Sequence, residues 1–215
     1  MTTLKEQAQH ARQLARKYIA LGFTIVPLGA DKRPVSTGVA TNGRRLSFSW
    51  EGYAEQRPTE KELAAIFSHD WWSEVRGVAA LAGAVSGGLV VLDGDHAPIE
   101  TARQHLHVLG LPDNYQWFNP SGSGDGWHCY VLCPEWQQDK AVVKRDAIGG
   151  GHVELRWKGS YTAMPGSVHP SGNVYPGDPA VAPQGVTAAA LAAFYEAVTI
   201  EAAAAKPSKA TTRSS

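Results

Sequence analysis

Apolar residues recur at helical spacing over residues 4–20, where Leu4, Ala8, Ala11, Leu14, Ala15, Tyr18 and Ile19 form a stripe with Lys and Arg between them. That spacing predicts an amphipathic helix, and Gly22 ends it. Residues 23–28 are a short apolar run of strand type. Residues 29–57 are polar, include Lys32, Arg33, Arg44 and Arg45, and predict a long loop. Thr59 and Glu62 have the spacing of a capping box, which predicts a helix to about Ser68. Residues 77–81 and 89–92 read as two strands around a glycine-bearing connection. Pro98 suits a helix start, and residues 98–109 keep helical spacing. Residues 116–118 and 127–132 read as strands flanking a glycine-rich turn. Residues 153–157 and 160–164 read as strands paired with each other. A Pro/Gly-rich loop runs to about 186, an Ala-rich helix spans 187–204, and 205–215 is a polar tail. No internal repeat is visible. The order predicts a mixed α+β domain with mostly antiparallel neighbours over 1–186, then the helix and the tail.

The composition narrows the class. With 20 basic and 20 acidic residues in 215, the formal charge is zero. Proteins that coat duplex DNA non-specifically are usually basic, so any nucleic-acid contact here would need a local basic groove. The two cysteines, Cys129 and Cys133, have no second pair to complete a zinc site. They read as reduced thiols of an intracellular, cytoplasmic protein. No signal peptide is apparent, and no apolar run approaches the roughly 20 residues of a membrane span. Most of the seven tryptophans read as core, although some could stack on bases.

Asp93-Gly94-Asp95 closes the apolar run Gly88-Leu89-Val90-Val91-Leu92. Residues i and i+2 of a strand share a face and stand about 6–7 Å apart. Two carboxylates so placed can share a pair of divalent cations, or simply end a strand at a turn. Four other segments carry possible chemistry. Ser121-Gly122-Ser123-Gly124-Asp125-Gly126-Trp127-His128 could bring backbone amides and an imidazole to a phosphate, or be a hairpin tip. His152, Glu154, Arg156 and Lys158 alternate onto one face, as a metal ligand beside a triphosphate or as a solvated face with ion pairs. Ser167 and His169 sit on a Pro/Gly-framed loop that could grip phosphate or sugar, or only turn the chain. Lys32 and Arg33 follow a strand end as phosphate ligands or as an ordinary surface loop.

In order and spacing these segments resemble the bifunctional primase–polymerase domain of the archaeo-eukaryotic primase superfamily, found in phages, plasmids and mobile elements. The resemblance runs over roughly residues 8–177 and passes through Pro27 and Lys32, Trp71-Trp72, Asp93-Gly94-Asp95, Pro120-Ser121-Gly122 to His128-Cys129-Tyr130, Glu154-Leu155-Arg156 and 165–172. It implies an archaeo-eukaryotic primase-like core: an antiparallel sheet related to RNA-recognition folds, packed with a small N-terminal α/β part, with the active site in the cleft between. It also implies that Asp93, Asp95 and Glu154 bind Mg²⁺ or Mn²⁺ and that His128 contacts nucleotide phosphate. Arg156, Ser167 and His169 would surround the incoming nucleoside triphosphate, with Lys32 as a further basic contact. Two departures stand out. The third acid is Glu154 where Asp is frequent, and Gly126 stands where Ser often precedes the histidine, which leaves that role between Ser121 and Ser123.

The implied reaction is nucleotidyl transfer that starts and extends primers on single-stranded DNA, with the template along Arg44, Arg45, Lys144 and Arg145. Such domains often precede a helicase in one replication protein. No phosphate-loop motif of an ATP-driven motor occurs here. Two other readings stand beside this one: a non-catalytic single-strand-binding module, and a metal-dependent nuclease using the same acids.

Overall fold

The computed structural model describes residues 3–35, 37–39, 45–47, 49–68 and 70–200. In chain order the elements are α1 (Leu4–Ala20), β1 (Ile25–Leu28), β2 (Thr37–Val39), β3 (Arg45–Ser47), α2 (Glu60–Ser68), β4 (Gly77–Leu81), β5 (Leu89–Asp95), α3 (Ile99–Gln104), β6 (Phe118–Pro120), β7 (Gly126–Leu132), β8 (Val142–Asp146), β9 (His152–Arg156), β10 (Tyr161–Ala163) and α4 (Ala188–Val198). The capping box expected at Thr59 forms, and Thr3 makes a second one at the start of α1. The Thr3 and Thr59 hydroxyls accept from the backbone N–H of Glu6 and Glu62, whose carboxylates accept from the Thr N–H in return. The predicted stripe of α1 is buried at Ala8, Ala11, Leu14, Ala15 and Tyr18, while Leu4 stays exposed.

Two antiparallel sheets organise the domain. The larger runs β6-β7-β5-β9-β8 and the smaller β1-β4-β10, while β2 and β3 pair separately. Alternation gives each sheet face a different partner. On one face of the large sheet, Leu92, Trp127, Cys129, Val153 and Leu155 pack with Ala102 of α3, with Leu106 and Leu109 of a 3₁₀ turn, and with Leu191, Phe194 and Val198 of α4. On the other face, Leu89, Val91 and Tyr130 pack with Leu14 and Tyr18 of α1 and with Ile25, Val78 and Ala80 of the small sheet. Covering on both sides explains why residues 89–92 are apolar without interruption. The second face is covered at only one end of β5. Its other end, at Asp93 and Asp95, opens into a cleft. Among the described residues no helix is long and apolar enough to cross a membrane.

Several expectations are corrected. The strands at 153–157 and 160–164 do not pair with each other. Strand β9 already has β5 on one side and β8 on the other. After the Gly159 turn the chain crosses to the small sheet, where β10 pairs with β4. The loop predicted over 29–57 contains β2, β3 and a 3₁₀ turn at Glu51–Ala54. The helix over 98–109 is an α-helix only to Gln104, then a 3₁₀ turn at Leu106–Leu109. Strand β8 was not anticipated, because this edge strand is half-exposed and carries Lys144, Arg145 and Asp146. The final helix ends at Val198, and the tail at 205–215 lies outside the described residues.

Gly94 couples this packing to the cleft. It pairs with Trp127 across β5 and β7, and a Cβ at Gly94 would lie 2.4 Å from the Trp127 indole. Gly94→Ala should therefore destabilise the domain by about 1–3 kcal/mol through overpacking. Urea unfolding checks this as a lower midpoint at unchanged slope.

Candidate active site

Strand β5 places Asp93 in the centre of a polar row. Asp93 pairs with His128 on β7 and with Glu154 on β9, and Glu154 pairs with Lys144 on β8. The row on one side holds Tyr130, Val91 and Arg156; the row on the other holds Gly126, Asp95 and His152. Cross-strand partners share a face, so residues distant in sequence converge. Asp93, Asp95, His128, Glu154, Arg156, Lys32, Ser121 and Ser123 line one cleft of about 490 Å³.

Charge pairing in the cleft is dense. Arg156 Nη2 lies 2.9 Å from Asp93 Oδ2 and 2.7 Å from Glu154 Oε2. His128 Nε2 is 3.3 Å from Asp93 Oδ1. His152 Nε2 stands 3.6 Å from both Asp95 Oδ2 and Glu154 Oε1. At the rim, His96 bonds Asp125 through Nδ1. Asp93 is 16% exposed, against 52% for Asp95. Burial by itself raises the Asp93 pKa, but His128, Arg156 and Lys32 outweigh it and hold the carboxyl down at about 2.

The glycine-rich loop forms a tight turn. Ser121 N–H donates to Gly126 O, Gly124 N–H donates to Ser121 O, and the Ser121 and Ser123 hydroxyls are 2.7 Å apart. Gly126, at φ +148°, has no room for a side chain, since a Cβ would meet Gly94 O at 2.1 Å. Lys32 holds a left-handed backbone at φ 63°, an uncommon conformation for a residue with a side chain. Two polar atoms of cleft-lining residues, Arg156 Nε and Thr162 Oγ1, are buried without a hydrogen-bond partner.

Two predicted residues do not reach the cleft lining. Ser167 is buried, and its hydroxyl donates to Val78 O and accepts from Val78 N–H. It clamps the small sheet, packed where a Cβ on Gly77 would clash. His169 lies half-buried, with Nδ1 on the Ser171 hydroxyl and its ring edge-on to Tyr175. Burial lowers its pKa, and Lys32 and His128 lower it further. Of the basic residues expected along a template, Arg44 and the Arg45 side chain lie outside the described residues. Lys144 and Arg145 are on a strand rather than a loop, and alternation separates them. Lys144 shares the cleft face, while Arg145 lies over the Tyr195 ring of α4 at 4.9 Å.

Sequence patterns missed Tyr175, Thr162 and Tyr161, all of which line the cleft. Tyr175 stacks on His128 at 5.4 Å. Nothing in the Pro/Gly loop around it distinguishes it from a surface residue.

The family model described as bifunctional DNA primase/polymerase, N-terminal, matches residues 15–185. The chain belongs to this primase/polymerase family. No curated protein matches the sequence. The matched span includes the acids, the glycine loop and His128. A primase/polymerase role for the domain follows from that membership, together with the mixed α+β fold and its antiparallel sheets.

Among the described residues no three His, Cys, Asp or Glu side chains form a ready-made metal cage. The donor chemistry nevertheless suits a hard divalent cation, since the acids supply only oxygen. One guanidinium nitrogen already serves both Asp93 and Glu154. That nitrogen stands in for a shared cation, so these acids can reach one positive centre together.

A depressed carboxyl pKa adds stability above the unfolded value, and the gain is lost as pH falls through the folded value. Asp93 should thus stabilise the fold above about pH 4 and cease to do so near pH 2. Asp93→Asn should lose on the order of 2 kcal/mol near neutral pH. Urea unfolding at stepped pH should show the gap to wild type closing as pH falls.

Proposed function

We propose that this primase/polymerase-family domain starts and extends primers on single-stranded DNA by joining nucleoside triphosphates. The observation that carries this reading is the convergence of Asp93, Asp95, Glu154, His128 and Arg156 on one sheet face inside one cleft. Asp93, Asp95 and Glu154 would hold Mg²⁺ or Mn²⁺, which when bound activates a 3′-hydroxyl and neutralises charge at the α-phosphate. His128 donates to a phosphate oxygen from the floor of the cleft. Arg156 holds the triphosphate through charge-assisted bonds. Lys32 brings a further positive charge from the β1 end, and the Ser121–Gly126 turn offers hydroxyls and backbone amides. His169 stands at the rim, next to Tyr175. Lys144, exposed on the edge strand, suits the template backbone. The same reading places the domain in a cytoplasmic phage or plasmid replication protein, with a helicase as partner.

Incubation with primed and unprimed template, triphosphates and Mn²⁺ tests this against its rivals. Extension supports the proposal, degradation favours a nuclease, and binding alone favours a non-catalytic module. Asp93→Ala with Asp95→Ala should abolish synthesis in a protein that still unfolds cooperatively. Glu154→Gln should cost about a hundredfold or more in rate with template binding unchanged.

Arg156 gives a further expectation. It competes with a divalent cation for Asp93 and Glu154. Arg156→Met should tighten Mn²⁺ binding to the nucleotide-free protein on the order of tenfold and weaken nucleotide binding. Titration calorimetry measures both.

A further inference from the structure

Tyr130 lies two residues beyond His128 on β7, and its side chain is buried. Its hydroxyl touches two partners. One is the carbonyl of Ala163 on β10, at 2.5 Å. The other is Nδ1 of His128, at 2.9 Å. A carbonyl oxygen can only accept, and a phenol has one proton. The phenol proton therefore goes to Ala163 O. Its oxygen is left to accept, so Nδ1 of His128 must be the donor. If the phenol instead donated to Nδ1, two oxygen lone pairs would face each other at 2.5 Å in a buried site, with no proton between them.

We infer that Tyr130 is a positioning residue that accepts a hydrogen bond from Nδ1–H of His128 and so leaves Nε2–H as the only ring N–H that can donate into the cleft. The Nε2–H placed in this way faces Asp93 Oδ1 at 3.3 Å, as a donor toward an acceptor. The ring is held from its face as well, by Tyr175 at 5.4 Å. Tyr130 also joins the two sheets, since β7 belongs to the large one and β10 to the small one. The orientation of His128 is therefore tied to the spacing of the cleft walls. The consequence for substrate rests on the reading of His128 as a phosphate ligand: an imidazole free to flip would spend part of its time without Nε2–H on the nucleotide.

Nitrogen-15 NMR of the imidazole in the wild-type full chain tests the hydrogen placement without any activity. The expected result is a pyrrole-type, protonated Nδ1 for His128. A pyridine-type Nδ1 overturns the inference outright. Tyr130→Phe keeps the ring and removes only the hydroxyl. It should shift the His128 signals away from the fixed Nδ1–H form. It should also raise the apparent KM for deoxynucleoside triphosphate about three- to tenfold, the size of one lost hydrogen bond, with single-strand DNA affinity unchanged. Unaltered His128 signals with an unaltered KM in this variant overturn the positioning role. If wild type binds no triphosphate, the phosphate-ligand reading of His128 fails, and the NMR result still decides the placement of the proton.

Discussion

Keeping the Asp93 carboxylate ionised inside a sheet is the most demanding requirement of this structure. A buried charge is costly unless it is paired and hydrogen-bonded. Here the pairing comes from both neighbouring strands: His128 from β7, and Arg156 from β9. Lys32 adds positive potential from the loop after β1. The cations are as integral to the site as the acids, and they explain why the polar cluster can sit between two hydrophobic cores.

That arrangement depends on register. A slip of β5 by one residue against β7 and β9 would turn Asp93 and Asp95 onto the helix-packed face. The packing of that face helps to prevent the slip. Trp127 lies over Gly94, between the two aspartates, and a strand shifted by one position would place a side chain against the indole. The closeness of Gly126 to the Gly94 carbonyl fits the glycine turn to the same place. Core packing on one face thus sets the alignment of chemistry on the other.

The cleft exists because the small sheet covers only part of the large one. Tyr18 bonds the carbonyl of Pro165, and Tyr130 bonds that of Ala163, so the end of β10 is held from β7 and the segment after it from α1. The Ser167 hydroxyl is fully used within the small sheet. Sequence proximity to His169 therefore does not make Ser167 a ligand.

Local rules in the sequence determined much of this protein. Periodicity located α1, the capping box marked a helix start at Thr59, and the apolar run ending in Asp93-Gly94-Asp95 announced a buried strand with two acids on one face. Alternation likewise put His152, Glu154 and Arg156 together, because a period of two depends only on neighbours along the strand, whereas Lys158, expected on the same face, lies beyond the strand end and pairs with Glu55. Which strands become neighbours depends on contacts between distant residues. Tertiary structure alone sent β10 to the small sheet, inserted the polar edge strand β8, buried Ser167 and brought Tyr175 and Thr162 to the cleft. It also decided which acid is buried and which is half-exposed, since the solvation of Asp93 and Asp95 follows from what covers each end of β5.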